Sequence, residues 1–359
     1  MTANRFVLFL LMVMGLGACV KDKPSDPHPV NPPANRQGGI YIVNEGSLGN
    51  NNSALSYFDP ASGRAYEDVF KAANNRSLGD VFQSMTLIDG NFWLAVNNSD
   101  KIEVIDTASL KSNHIIALQK PRYILQVGPG KAYVTSLFNP VIHIVNTQTF
   151  QVTGSIATDY ANTEDLVMLN GKVYVSQWDT AANFIYEINP ATDQVERRIT
   201  INGRASSGLA VDKNHKLWVM AGNVTKGKTA TLNRVDPVSG VVERSFTFGA
   251  TEDPMRLRFN KTGDSVYWIG VDYYGTNSYN GVYRMPITAT KLPAQPFIGA
   301  QQYQYFWGLD IDPVTNDVYI TDPKGFIQKG TVLKYNAAGQ LLGSFATGTG
   351  PSSCYFFYP

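Results

Sequence analysis

One small unit recurs seven times along this chain: a short β-branched run holding one Tyr or Trp, a polar loop, then a second run ending in an Asp or Asn turn. The aromatic members are Tyr41, Trp93, Tyr133, Tyr174, Trp218, Tyr267 and Tyr319, spaced about 40–50 residues apart. The turn members are Asp59, Asp106, Asn146, Asn189, Asp236 and Asn336, with Met285-Pro286 in the sixth place. A repeat of this length, holding about four short strands, cannot bury its apolar face alone and must stack on copies of itself. The expected fold is therefore all-β, a seven-bladed β-propeller.

The chain ends predict how the ring closes. Ser352 to Tyr358 reads as a lone apolar strand with nothing after it to pair with. The first repeat begins at Gly39 directly with its aromatic strand. It lacks the preceding strand seen elsewhere, as in Tyr123–Val127, Gly208–Val211 and Gly308–Ile311. The C-terminal strand is expected to join the first blade, so that both exposed edges vanish into one ladder. The 31 Gly and 19 Pro suit such a turn-rich chain.

Ahead of the repeats, Arg5 precedes an apolar run, Phe6 to Met14, too short to span a bilayer and laid out as a secretory signal. Leu16-Gly17-Ala18-Cys19 resembles the lipobox of bacterial lipoproteins, which implies a signal peptide over residues 1–18 and acylation of Cys19. Residues 19–36, rich in Pro and poor in apolar side chains, read as an extended tether. The domain proper is residues 37–359. Lys21-Asp22 resembles the export signals of surface lipoproteins, so the expected location is the outer membrane, at the cell surface rather than its periplasmic side. Attachment through the lipid is the only membrane contact expected. After the leader is removed, only Cys354 remains as a thiol, and its aromatic strand favours a buried, inert one. The 30 basic and 29 acidic residues nearly cancel, which argues against nucleic acid as a partner.

No catalytic residue and no metal site is expected, and the chain does not read as an enzyme. The four His (His28, His114, His143 and His215) do not pair at metal-ligand spacing, and no nucleophile elbow, phosphate loop or Cys-x-x-Cys occurs. Asp310, Asp312, Asp317 and Asp322 suggest a cation site but read first as strand, turn and strand. Loop length varies between the aromatic strand and the turn marker, and such variation falls on one face of a repeat protein, often the binding face. That face is expected to carry Phe138, Trp178, Tyr273, Tyr274 and Tyr305, with Asn44 opening the first loop. Arg76, Arg122 and Arg256 are expected to aim cations at the channel rim. Phe306 and Trp307, beside Gly308-Leu309, read equally well as core. Aromatic rings among amides and hydroxyls suit a large, flat, partly polar ligand or a protein partner.

The segments Tyr41-Ile42-Val43-Asn44-Glu45-Gly46, Leu55-Ser56-Tyr57-Phe58-Asp59-Pro60, Asn75 to Met85 and Pro121-Arg122-Tyr123-Ile124 are similar to those of YncE-like propeller lipoproteins. Members with an assigned role resemble surface cobalamin-binding lipoproteins of the BtuG type. The resemblance implies capture of a corrinoid, a vitamin B12-like nutrient, and its delivery to a TonB-dependent outer-membrane transporter, with no bound cofactor. Two other readings use the same chain. One is an envelope scaffold for proteins or glycans. The other is a lactonase-type hydrolase with Glu164, Asp165 and Asp253 around the channel.

Overall fold

The alternating apolar runs of the repeat pair into seven four-stranded antiparallel sheets. A computed structural model describes residues 32–33, 36–272, 280–301 and 304–358. The leader, Cys19 and the tether through residue 31 lie outside the described residues, as do Tyr273 and Tyr274.

Blade one runs from the channel outward as Pro351–Phe357, Gly39–Asn44, Ala54–Asp59 and Arg64–Tyr66. Tyr41 is flanked in register by Tyr57 on one side and Tyr355 on the other. The other inner strands are Phe82–Ile88, Pro121–Gly128, Thr163–Leu169, Ser206–Val211, Glu252–Phe259 and Gly308–Ile311. Each inner strand packs on the next, and the last returns to the first. This is the seven-bladed propeller the repeat predicts, closed by the C-terminal strand.

The seven repeat aromatics are all buried, each on the second strand of its blade. They pack between blades, and seven apolar clusters fill the seven interfaces. The closing interface, between blades seven and one, is built on Ile40, Ile42, Tyr319, Val332 and Cys354. Burial there pushes the Cys354 thiol well above its ordinary pKa, as an inert core thiol requires.

The turn markers have a local cause. At the end of each third strand, the side-chain oxygen of Asp59, Asp106, Asn146, Asn189, Asp236 or Asn336 accepts a backbone N–H two or three residues on, at 2.6–3.2 Å. Such Asx turns direct the chain back into the outer strand. In blade six Pro286 holds that position, no Asx turn forms, and the outer strand shrinks to Ile298–Gly299.

Arg36, read as the end of the tether, instead belongs to the fold. It is buried, donates from Nε to the Tyr41 hydroxyl at 3.1 Å, and reaches the Ala108 carbonyl in blade two. Thr107 and Ala108 form a turn between third and outer strands, so the chain enters on the face opposite the variable loops.

Candidate functional site

Antiparallel order places the loops after each second strand at the same end as the crossings between blades. There the channel opens into a cavity of about 1110 Å³. Loop residues Leu48, Asn98, Phe138, Trp178, Asn223 and Trp307 line its mouth.

The inner strands supply its polar groups by a shared backbone device. In blades two to six the ladder between inner and second strand slips near the start of the inner strand, and the residues skipped there are Gln83, Arg122-Tyr123, Glu164-Asp165, Ser207 and Arg256-Leu257. Every one of them lines the cavity. A β-bulge releases residues from pairing and re-aims their side chains, here toward the channel. Second-strand hydroxyls fill two of the gaps: Tyr123 N donates to Thr135 Oγ1 at 3.1 Å and Asp165 N to Ser176 Oγ at 2.9 Å.

The charges around this ring are mostly paired. Arg122 forks onto Glu164, from Nε at 3.0 Å and from Nη2 at 2.9 Å, and also donates to Gln83. Burial pushes the Glu164 carboxyl up against the pull of the Arg122 guanidinium. Arg258 donates from Nε to Asp310 at 2.7 Å. Arg256 donates from Nε to the Trp307 carbonyl at 3.0 Å and lies 5.3 Å from the Trp307 ring centre. Its approach to Glu45 is long, 3.5 Å.

Two acids have no cation bonded to them among the described residues. Asp165 accepts from the backbone N–H groups of Leu166 and Leu209, each at 3.0 Å, yet burial still raises its pKa. Burial alone raises the pKa of Asp253. A raised carboxyl pKa stabilises the fold below the ordinary value of 3.8, and that contribution is lost as pH rises through the folded pKa. Asp253→Asn should therefore melt above the wild type at neutral pH, with the gap closing well below pH 3.8. Melting curves at the two pH values check this, and a gap that persists in acid would exclude the titration of Asp253 as its cause.

Of the residues expected at the site, Phe138, Trp178, Arg122 and Arg256 line the cavity. Asn44 does not. Its side chain is fully buried, donating to the carbonyls of Ile42 and Ala54 and to Ser56 Oγ, and accepting from Thr347 Oγ1. Tyr305 stacks on Trp307, with ring centres 6.0 Å apart, and packs against the core between blades six and seven. Arg76 pairs with Glu103 rather than reaching the channel rim, and Phe306 is core while Trp307 reaches the cavity. Arg258, Tyr123 and Gln83 were not anticipated as site residues, and Asp310 was singled out only as one of four Asp suggesting a cation site. The one signal for the bulges is the hydroxyl two residues after the repeat aromatic, Thr135 and Ser176.

The four Asp of blade seven do not gather. Asp312 accepts from Val314 N at 2.7 Å and from the Tyr358 hydroxyl at 2.7 Å, whereas Asp310 faces Arg258. Among the described residues no three His, Cys, Asp or Glu side chains come together as a metal site. Glu164 is spent on Arg122, so the three acids of the hydrolase reading are not equivalent.

The architecture is shared with solved propellers. A quinoprotein alcohol dehydrogenase-like protein from Bacteroides thetaiotaomicron superimposes with a TM-score of 0.68 at 14% identity, over 90% of this chain and 79% of that one. Hydrazine synthase from Kuenenia stuttgartiensis gives 0.59 at 14% identity, over 74% of this chain and 88% of that one. The dihydro-heme d1 dehydrogenase NirN, in complex with DHE, gives 0.59 at 9% identity, over 92% and 78%. At these identities the likeness is one of fold. No curated protein matches the sequence. Residues 38–359 match a single family model from the first blade to the last, and the chain belongs to that family, the domain of unknown function DUF5074.

Proposed function

We propose that this propeller is a non-enzymatic capture protein of the bacterial envelope, holding a large, partly polar small molecule of the corrinoid class in its funnel. The observation that carries this reading is the cavity itself. Its volume of about 1110 Å³ is at the upper end of, or beyond, the roughly 300–1,000 Å³ of ordinary small-molecule pockets. Its lining joins aromatic faces (Tyr123, Phe138, Trp178 and Trp307) to hydrogen-bonding groups whose charges are largely compensated. A broad apolar macrocycle edged with amides needs those two surfaces and no covalent chemistry. In this reading Cys19 carries the lipid anchor, the protein sits at the outer-membrane surface, and a TonB-dependent transporter receives the ligand.

Calorimetric titration of the propeller (residues 37–359) with cyanocobalamin is the test. One-to-one binding supports the reading, and absence of heat and of retained colour overturns it. Phe138→Ala with Trp178→Ala should weaken binding by about tenfold to a hundredfold, the usual range for exposed aromatic anchors. The melting temperature should hardly move, since both side chains are exposed. Unchanged affinity would mean the ligand sits elsewhere. The scaffold reading draws on the apolar rim, where Leu48, Phe138 and Ile327 are 76%, 71% and 86% exposed. It gains weight if cyanocobalamin gives no heat.

A further inference from the structure

In blades one to five a left-handed residue stands immediately before the inner strand: Gly350, Val81, Lys120, Asn162 and Ala205. Blade six departs from this. Its left-handed residue is Arg256, φ +59°, in the middle of the inner strand. Among the described residues it is the one non-glycine inside a strand with positive φ. Such a conformation is strained and persists where surrounding structure enforces it, often at a ligand clamp.

The bulge presents a guanidinium that is poorly neutralised. Arg122 and Arg258 each hold a carboxylate at 2.7–3.0 Å. Arg256 meets Glu45 only at 3.5 Å, well beyond the 2.7–2.9 Å of a charge-assisted bond, and Glu45 is also engaged by Trp307 Nε1 at 3.1 Å. Arg256 Nη1 and Arg258 Nη2 have no hydrogen-bond partner among the described residues, and both side chains line the cavity. The Tyr123 hydroxyl accepts from Gln83 Nε2 at 3.3 Å, which leaves its own proton to donate. Of the acids that line the cavity with it, Asp310 is committed to Arg258 and Glu164 to Arg122, Asp165 accepts two backbone N–H groups, and Asp253 has no cation bonded to it among the described residues.

From this we infer that Arg256, with Arg258 and Tyr123, forms a subsite for an anionic oxygen group, a phosphoester or carboxylate carried by the ligand, with Glu45 as the internal placeholder that such a group displaces. The inference rests on the cavity being a ligand site, but not on the ligand being a corrinoid.

The purified protein is titrated with inorganic pyrophosphate and with citrate, in phosphate-free buffer at constant ionic strength. One saturable site is expected, and the better probe tells phosphate from carboxylate. Arg256→Gln should weaken it at least tenfold, and Glu45→Gln, which keeps an acceptor for Trp307 but removes the competing charge, should tighten it several-fold. Melting curves of both variants verify folding, and the gain in Glu45→Gln cannot come from a damaged fold. No saturable binding of either anion, or affinities that neither substitution moves, would overturn the subsite. Parallel titrations use cyanocobalamin and dicyanocobinamide, which lacks the phosphodiester. Anion binding without cyanocobalamin binding removes the corrinoid reading and keeps the subsite. Cyanocobalamin binding with no anion binding and no effect of Arg256→Gln does the reverse.

Discussion

A chain cut after Gly350 is expected to show no cooperative thermal transition. Pro351–Phe357 is the inner strand of blade one, and removing it strips the Gly39–Asn44 strand of its inner partner along its whole length, leaving only the ladder to Ala54–Asp59. Cys354 leaves the closing interface, and Phe356 loses its packing against that cluster and its edge contact with Tyr319, with ring centres 5.3 Å apart. Tyr355 and Phe357 leave the cluster between blades one and two, where both pack on Phe92. The bonds from Cys354 N to Asp310 and from the Tyr358 hydroxyl to Asp312, each 2.7 Å, go with them. Four such side chains, partly or fully buried, contribute on the order of 5–10 kcal/mol. That is comparable to the roughly 5–15 kcal/mol of net stability a domain possesses. Circular dichroism on heating decides the matter: a truncated protein that melts within a few degrees of the full chain would show that the ring does not depend on its closing strand.

Glu164→Ala should be the most damaging single substitution in the channel, costing about 3–5 kcal/mol because it leaves a buried guanidinium uncompensated. The Glu164 side chain is only 4% exposed and takes both arms of the Arg122 fork. With about 2 °C lost per kcal/mol in a large domain, the melting temperature should fall by roughly 6–10 °C. Replacing both partners, as Arg122→Met with Glu164→Met, should cost far less than Glu164→Ala alone, since no charge is then stranded. Additive losses in that double variant would show that the two residues act separately.

The blade count, the closing strand and the face of the variable loops were legible in the sequence because each rests on a local signal. A buried aromatic must recur wherever blade meets blade, and an Asx side chain must recur wherever the outer strand turns back. Where Pro286 replaces the Asx residue, the shortened outer strand follows from the same rule. The polar ring was legible only in part: Arg122, Arg256, Glu164, Asp165 and Asp253 were placed at the channel, whereas Gln83, Tyr123 and Arg258 were not, since a bulge breaks the alternation by which inward and outward positions are told apart. Gln83 and Tyr123 look like faults in a strand pattern, and only the slipped ladder shows that they enter the channel. Arg258 escaped notice for the same reason, two residues beyond a left-handed Arg256. Asn44 failed in the opposite sense. An amide at the mouth of a loop suggests a ligand contact, yet here it satisfies backbone groups inside the ring.

The pairing of the two chain ends also sets a timetable. Val43 meets Ser352 across 309 positions of sequence, a separation that ribosomes cover in about 15–60 s at roughly 5–20 residues per second. During that interval the other blades can form from neighbouring hairpins, whereas Gly39–Asn44, six buried residues long, has an unsatisfied edge. Long-range pairing of this kind folds slowly and exposes a sticky strand to other chains. The ring strand made first is thus the last to be satisfied, and Gly39–Asn44 of a nascent chain needs protection until Pro351–Phe357 has emerged.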